Sequence, residues 1–249
     1  MSATPPQGNP GDIVNVPMLK ITYRTDSDAI AKLLPPGLTP GADPKVFLTF
    51  YSFPVMNEPE FGLVMTAAAD YQGMAGEYAL GYAIDQESAV YVSREHWGQP
   101  KYLADIRYFR MMDHVEASVR HAGHTFAEFS GDVSGEGPSG ETFEVNEWWV
   151  KVARSVTMMP NNYDFPPHVV RVRAKYRTAY RQDLSGSLVL RDSATDPLAE
   201  RLPLREQVEA YLWTPEHLER EINFAGELDG EGFWPFASTI GGTRFPMAA

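Results

Sequence analysis

Alternating apolar and polar positions along most of the chain predict β-strands. Two such runs within 114–130 are separated by Ala122 and Gly123, which is typical of a β-hairpin. Periodicity and β-branched or aromatic content predict further strands at 16–23, 46–53, 63–71, 78–84, 89–93, 144–156, 169–180 and 188–190.

Few segments have the pattern of helices. Residues 25–28 can cap an apolar run at 29–34, which ends at the Pro-Pro-Gly of 35–37. The stretch 204–212 is predicted to be helical, and Thr214-Pro215-Glu216 is predicted to start another short helix. The tail, 226–249, is expected to be loop-like. Many strands with a few helices predict a strand-rich α+β domain or barrel.

The domain organisation is predicted to be simple. The 249 residues contain no repeat and no clear linker. Residues 1–12 are polar and rich in Pro and Gly, so we expect a flexible leader there and a single domain over 13–249. The chain has no long apolar run and its start lacks a signal-peptide pattern, so we expect no membrane span and a cytoplasmic protein.

Charge and cysteine content exclude several classes of function. The net charge of −12 repels phosphate backbones and anionic membranes, so neither is an expected partner. The absence of cysteine excludes disulfides and thiolate chemistry. His121 and His124 have a metal-like spacing, but they flank the predicted turn, and we predict no metal site. Glu147-Trp148-Trp149 is interpreted as core packing.

Lys101 is the strongest candidate for a catalytic residue in the sequence. Only six of the 21 basic residues are lysines, and Lys101 follows a Gly- and Pro-containing turn between Trp97 and Tyr102. A lysine that aromatic neighbours desolvate has a lowered pKa, and a neutral amine can form a Schiff base with a ketone. The alternative, a turn lysine with its ammonium in water, stays open at this point.

Three segments carry a family resemblance. They are Y-R-T-D-x-D-A at 23–29, G-E-Y at 76–78, and A-V-Y-V-S-R-E at 89–95 followed at a fixed distance by Lys101. Together they resemble the acetoacetate decarboxylase family, and the resemblance extends from about residue 19 to residue 103. It implies an α+β, mainly antiparallel fold: a cone-like β-barrel with a flanking sheet and short helices, which assembles into homo-oligomers.

The resemblance also implies a Schiff-base lysine at Lys101 and no metal or organic cofactor. Three polar groups of the family pattern are replaced. Its second lysine corresponds to Tyr102, an arginine falls near Val16, and one glutamate falls near Leu48. The other glutamate of the family's pocket corresponds to Glu60, if a small gap is allowed.

These replacements favour a divergent member of the family. We expect Lys101 to condense with a small keto acid such as pyruvate, giving an enamine that adds to an aldehyde and then loses water. Tyr82 and Glu60 are the other predicted catalytic residues, and Gln99, Trp97 and Tyr102 are predicted to contact substrate. Two alternatives remain: decarboxylation of acetoacetate or a bulkier β-keto acid, and non-catalytic binding of a small molecule.

All of this requires a neutral, reachable amine in an apolar cavity. An ammonium that points into bulk water, or one that a firm carboxylate partner neutralises, would remove the basis for Schiff-base chemistry.

Overall fold

β-Strands make up most of the part of the chain that the computed structural model describes, residues 17–55 and 58–247. The strands of the first half are β1 (Met18–Arg24), β2 (Leu38–Pro40), β3 (Lys45–Val55), β4 (Glu58–Tyr71), β5 (Met74–Ile84) and β6 (Lys101–Leu103). Those of the second half are β7 (Asp105–Met111), β8 (His114–His121), β9 (His124–Glu136), β10 (Thr142–Arg154), β11 (Tyr163–Leu190) and β12 (Glu206–Glu227). The helices are α1 (Ser27–Ala31), α2 (Glu87–Trp97), α3 (Leu198–Arg201) and α4 (Gly230–Phe233), with a 3₁₀ turn at Trp234–Phe236.

The strands form one mixed sheet that partly closes into a ring. Its order is β10-β5-β4-β3-β1-β12-β11-β9-β8-β7, with β2 on β4 and β6 on β5. Strand β10 also pairs with β11, so the order returns on itself. The contact between β10 and β5 is parallel and short, whereas the neighbouring pairs in the ring are antiparallel. The predicted fold class, mainly antiparallel with a flanking sheet and short helices, is confirmed.

Side-chain alternation gives the ring two different faces. In β1, Leu19, Ile21 and Tyr23 belong to the larger cluster of buried hydrophobic residues. Met18 and Lys20, on the opposite face, line a cavity inside the ring. A period of two along each strand therefore assigns successive residues to the core or to the cavity.

The predicted strand at 89–93 is wrong, because this segment lies within helix α2. Its Val and Tyr residues favoured a strand. In the structure Ala89 and Ser93, four residues apart, form the buried side of the helix. Gly98 ends α2 with a positive φ of 70°. The predicted turn before Lys101 is confirmed.

The predicted helices at 204–212 and from Thr214 are also wrong, because both segments lie in strand β12 apart from the first two residues. Buried Ala210 and Leu212 alternate with more exposed neighbours, and β12 pairs with both β1 and β11. Pro215 is tolerated because it lies beside a register irregularity in the ladder with β11. The tail predicted as a loop contains the end of β12, α4 and the 3₁₀ turn.

The predicted hairpin at 114–130 is confirmed, whereas β2, β6 and β7 were not predicted as strands. The hairpin of β8 and β9 turns at Ala122 and Gly123, both with positive φ. His121 binds Asp196, and the described residues contain no cluster of three potential metal ligands. None of the helices described is long and apolar enough to cross a membrane. The predicted leader, 1–12, lies outside the described residues.

Candidate active site

The turn after α2 leads directly into β6, which places Lys101 beside β5 in the ring. Gly98 in the left-handed conformation lets the chain reverse, and the Arg244 guanidinium donates to its carbonyl at 2.9 Å. The Tyr82 N–H donates to the carbonyl of Pro100 at 2.9 Å, and β6 then runs parallel to β5 with Lys101 beside Tyr82. Backbone pairing therefore determines where the lysine side chain enters the cavity.

Gly98→Ala tests this turn. A Cβ on Gly98 would lie 2.5 Å from Lys151 Cα and 2.5 Å from the Val150 oxygen, both of them backbone atoms. Gly73, with a φ of 77° and no atom within 4 Å of a built Cβ, is the matched control. We expect Gly73→Ala to cost about 1–2 kcal/mol, the penalty for a left-handed alanine, and Gly98→Ala to cost clearly more. Urea unfolding measures both, and equal losses would contradict a tightly packed turn.

A cavity of about 510 Å³ lies inside the ring. Alternate residues of β1, β3, β4, β5, β10, β11 and β12 line it, together with residues of α2 and the turn that leads into β6. The structure brings five of the six predicted site residues to this cavity: Glu60, Tyr82, Trp97, Gln99 and Lys101. Most of the residues that the sequence predicted for the site therefore line one cavity.

Tyr102, the sixth, points away from this cavity. Consecutive residues of β6 face opposite sides, so Lys101 and Tyr102 diverge. The Tyr102 hydroxyl donates to Asp196 at 2.9 Å, and its ring packs 4.8 Å from that of His121. Tyr102, which was predicted to contact substrate, therefore does not line this cavity and packs behind the lysine strand.

Lys101 and Glu60 form a buried ion pair. The amine lies 3.0 Å from both carboxylate oxygens, and the two side chains are 7% and 0% exposed, respectively. The Tyr51 hydroxyl also donates to Glu60, at 2.6 Å. Burial, with the Glu60 charge adding to it, raises the pKa of Tyr51 well above its usual value, so the phenol keeps its proton.

Glu60 is the firm carboxylate partner that was expected to count against a Schiff base. It raises the pKa of Lys101, but burial lowers this pKa more strongly, and the nearby Arg220 cation lowers it further. The pKa of the amine consequently lies below its usual value. Burial thus shifts the Lys101 amine towards its neutral form, while its ion pair with Glu60 opposes this shift.

A second carboxyl in the cavity, the half-buried Glu147, was missed by the sequence interpretation. The Tyr82 hydroxyl and the Trp149 indole N–H both donate to it. In β10, Glu147 and Trp149 line the cavity, whereas Trp148 on the other face is fully buried in the core. An acidic residue directly before two tryptophans was the available signal. The predicted core packing is confirmed for Trp148 and Trp149, which are both almost fully buried, but Trp149 also lines the cavity.

Part of the cavity lining is aromatic and carries cations. The Tyr176 and Trp213 rings lie 5.3 Å apart, and Phe143 lies 5.8 Å from Trp213. The Lys20 amine sits 4.9 Å from the centre of the Trp213 ring, and Arg220 also lines this space. A ligand here would meet Lys101, an apolar aromatic wall and the positive charges of Lys20 and Arg220.

Known proteins share this arrangement of strands. A solved acetoacetate decarboxylase from Legionella pneumophila superposes with a TM-score of 0.71 at 16% identity, covering 86% of both chains. The enduracididine biosynthesis enzyme MppR, solved with pyruvate, superposes with a TM-score of 0.70 at 15% identity, covering 85% of this chain and 89% of MppR. At such identities these likenesses establish the fold.

Sequence comparison establishes the family. The acetoacetate decarboxylase from Paraburkholderia phytofirmans is 36% identical over 100 residues, which are 39% of this chain and 38% of the relative. The matched region thus spans well under half of that relative's length. The family model for acetoacetate decarboxylase matches residues 1–223. The chain therefore belongs to the acetoacetate decarboxylase family.

Proposed function

We propose that this protein is a Schiff-base-forming lyase that joins a small keto acid such as pyruvate to an aldehyde and then removes water. The observation that carries the proposal is the buried Lys101 amine, whose pKa is lowered although a carboxylate touches it. A lysine that lines a cavity and has a lowered pKa is suited to attack a ketone.

Glu60 has a definite task in this chemistry. The neutral amine adds to the carbonyl carbon, and loss of the carbonyl oxygen as water leaves a C=N bond with a positive charge on nitrogen. This charge arises where the ammonium was paired, 3.0 Å from Glu60. The carboxylate that disfavours the neutral amine therefore stabilises the iminium that follows, and it can pass protons between nitrogen and the departing oxygen.

The size and lining of the cavity support a second substrate. A volume of about 510 Å³ lies within the range of sites that hold drug-sized ligands, so a three-carbon acid leaves room unused. The wall of Phe143, Tyr176 and Trp213 suits a planar apolar aldehyde. MppR, which shares the fold, has been solved with the condensation product of pyruvate and imidazole 4-carboxaldehyde.

Decarboxylation is the second candidate. It uses the same iminium, which accepts the electron pair left when carbon dioxide departs from a β-keto acid. The curated relatives are named acetoacetate decarboxylases, and the aromatic wall also suits a bulkier β-keto acid. A non-catalytic binding protein is the third reading, for which the cavity alone would suffice.

A panel of substrates separates the three. We expect borohydride reduction with pyruvate to add the mass of a reduced adduct to the peptide that contains Lys101. Pyruvate with an aromatic aldehyde should give an unsaturated product, followed by absorbance. Carbon dioxide release from acetoacetate without condensation would favour the decarboxylase. Binding without any adduct, for every ketone tested, would favour the binding protein and overturn the proposal.

Arg220 is the expected partner for the substrate carboxylate. It lines the cavity, its charge acts on both Lys101 and Glu147, and no hydrogen bond or ion pair of its side chain is found within the described ranges. We expect Arg220→Gln to raise the half-saturating keto acid concentration for adduct trapping about tenfold, since hydrogen bonds to charged groups contribute roughly 1.5–3 kcal/mol.

A neutral methyl ketone serves as the comparison ligand. Its half-saturating concentration for adduct trapping should change little in Arg220→Gln. Any effect of Arg220 on the Lys101 pKa acts on both ligands, so their ratio isolates carboxylate binding. Arg177→Gln is the control, because its guanidinium pairs with Glu216 outside the cavity. An equal change for acid and ketone would contradict the assignment.

A further inference from the structure

We propose that Glu147 is a second acid–base group of this site, which takes a proton from the substrate carbon next to the iminium and later returns one. The inference deepens the proposed Schiff-base function and rests on it. It assigns a chemical role to a residue that neither the sequence motifs nor the resemblance singled out.

The two donors leave one oxygen of Glu147 available. Both the Tyr82 hydroxyl and the Trp149 indole N–H donate to Oε1. No hydrogen bond among the described residues reaches Oε2. A proton on this carboxyl would therefore sit on Oε2, because Oε1 already accepts two hydrogens. The side chain lines the cavity, so Oε2 is the atom that can exchange a proton with a ligand.

Tyr82 connects the carboxyl to the lysine. It lies directly beside Lys101 in the parallel pairing of β5 and β6, and its hydroxyl points to Glu147 on β10. Glu60 contacts the lysine from β4. The amine thus has one carboxylate in direct contact, and Tyr82, its neighbour in the strand pairing, donates to a second carboxyl that lines the same cavity. In the proposed mechanism Glu60 serves the nitrogen and Glu147 the substrate carbon.

The surroundings keep Glu147 suited to both directions of proton transfer. Burial raises the pKa of Glu147 most strongly, and the charge of Glu77 on β5 raises it further. The hydrogen bonds from Tyr82 and Trp149 and the charge of Arg220 on β12 lower it. The resulting pKa of Glu147 is about 7. A carboxyl with a pKa near neutrality can accept and donate protons at working pH.

Further titratable groups line the same cavity, among them Tyr176 and Tyr82 as well as His217 of β12, whose ring lies 4.7 Å from that of Tyr176. The charge of Glu147 also raises the pKa of Tyr176 on β11. Tyr82 has its own pKa raised well above the usual value by burial and by Glu147, so it remains a donor.

The proposed step is balanced. In the iminium formed from pyruvate, a methyl C–H bond breaks and its electron pair forms the C=C bond of the enamine. The C=N π electrons move to nitrogen, which becomes neutral, and the proton goes to Oε2 of Glu147. When the enamine carbon adds to the aldehyde, the nitrogen becomes an iminium again and the aldehyde oxygen, now an alkoxide, takes the proton from Glu147. The carboxylate then removes a second proton from the same carbon, which forms a new enamine, and gives it to the hydroxyl, which leaves as water and restores the iminium.

Deuterium exchange isolates this step from Schiff-base formation. In D₂O, loss of the pyruvate methyl signal in proton NMR reports enamine formation, and borohydride trapping reports the iminium. We expect Glu147→Gln to keep trapping within about twofold while exchange slows by about 100-fold or more, the usual contribution of an acid–base group. Glu144→Gln is the control, since Glu144 on the same strand pairs with Arg173 and does not line the cavity.

The outcomes separate this inference from the proposed function. Exchange at near wild-type rate in a trappable Glu147→Gln overturns the role of Glu147 and leaves the Schiff base intact. Absence of trapping in the wild type overturns both.

If Glu147→Gln does not fold, Tyr82→Phe supplies the test. Removing the Tyr82 hydrogen bond raises the pKa of Glu147, so the rise of the exchange rate with pH, expected near pH 7 in the wild type, should move to higher pH. An unmoved profile overturns the inference.

Discussion

Lys101→Arg eliminates every borohydride-trapped adduct and the activity that depends on it. Arginine keeps a positive charge beside Glu60, but its guanidinium does not lose a proton in proteins and cannot form an imine. We expect complete loss, measured by intact-protein mass spectrometry after incubation with pyruvate or acetoacetate and reductant.

Lys32→Arg is the matched control for this change. Lys32 is exposed at the end of α1, remote from the cavity lining, and its replacement should leave the trapped mass unchanged. Retention of the adduct or of activity in Lys101→Arg would refute the lysine mechanism. A loss that also appears in Lys32→Arg would point to surface modification.

Glu60→Gln has the second largest expected effect, because the iminium is a buried cation. Removing one partner of a buried pair costs about 3–5 kcal/mol, and about 3 kcal/mol corresponds to roughly 100-fold in an equilibrium. We therefore expect the yield of trapped adduct at limiting pyruvate, at a pH where the free amine is neutral, to fall by about 100-fold. Titration with pyruvate, followed by reduction and mass spectrometry, measures it.

Glu60→Gln should also shift the pH dependence of adduct formation to lower pH. Glu60 raises the pKa of Lys101, so its removal lowers this pKa further and the amine becomes neutral at lower pH. The midpoint for the initial rate of adduct formation should move downwards. Glu58→Gln, on the same strand and outside the cavity lining, is the control. A midpoint that moves upwards, or an unchanged yield, would contradict the assigned role of Glu60.

Local pattern was sufficient for most strands and insufficient for two segments. The alternation of β1, β3, β4, β5 and the hairpin of β8 and β9 is visible in the chain itself. Helix α2 and strand β12 were misassigned because short apolar runs fit either period, and the deciding contacts come from distant strands. Pairing on both edges overrides the helical signals of Thr214 and Pro215 in β12.

Lys101 could be singled out from the sequence because its chemistry and its local setting coincide. A scarce residue type follows a turn, among aromatic neighbours, in a motif that resembles a known family. The contacts of its side chain could not be found in this way, although Glu60 itself was predicted from the resemblance. Glu60 lies 41 residues from Lys101, and Glu147 lies 65 residues from Tyr82, so only strand register brings these atoms together.

By itself the sequence determined that this chain folds mainly as strands and that one lysine follows a turn at the edge of an apolar region. The tertiary structure decided which carboxyls face that lysine, that Tyr102 turns away from it, and that burial prevails over Glu60 in lowering its pKa. The physical reason is that periodicity is encoded over neighbouring residues, whereas desolvation and charge pairing depend on groups that the closing sheet brings from far along the chain.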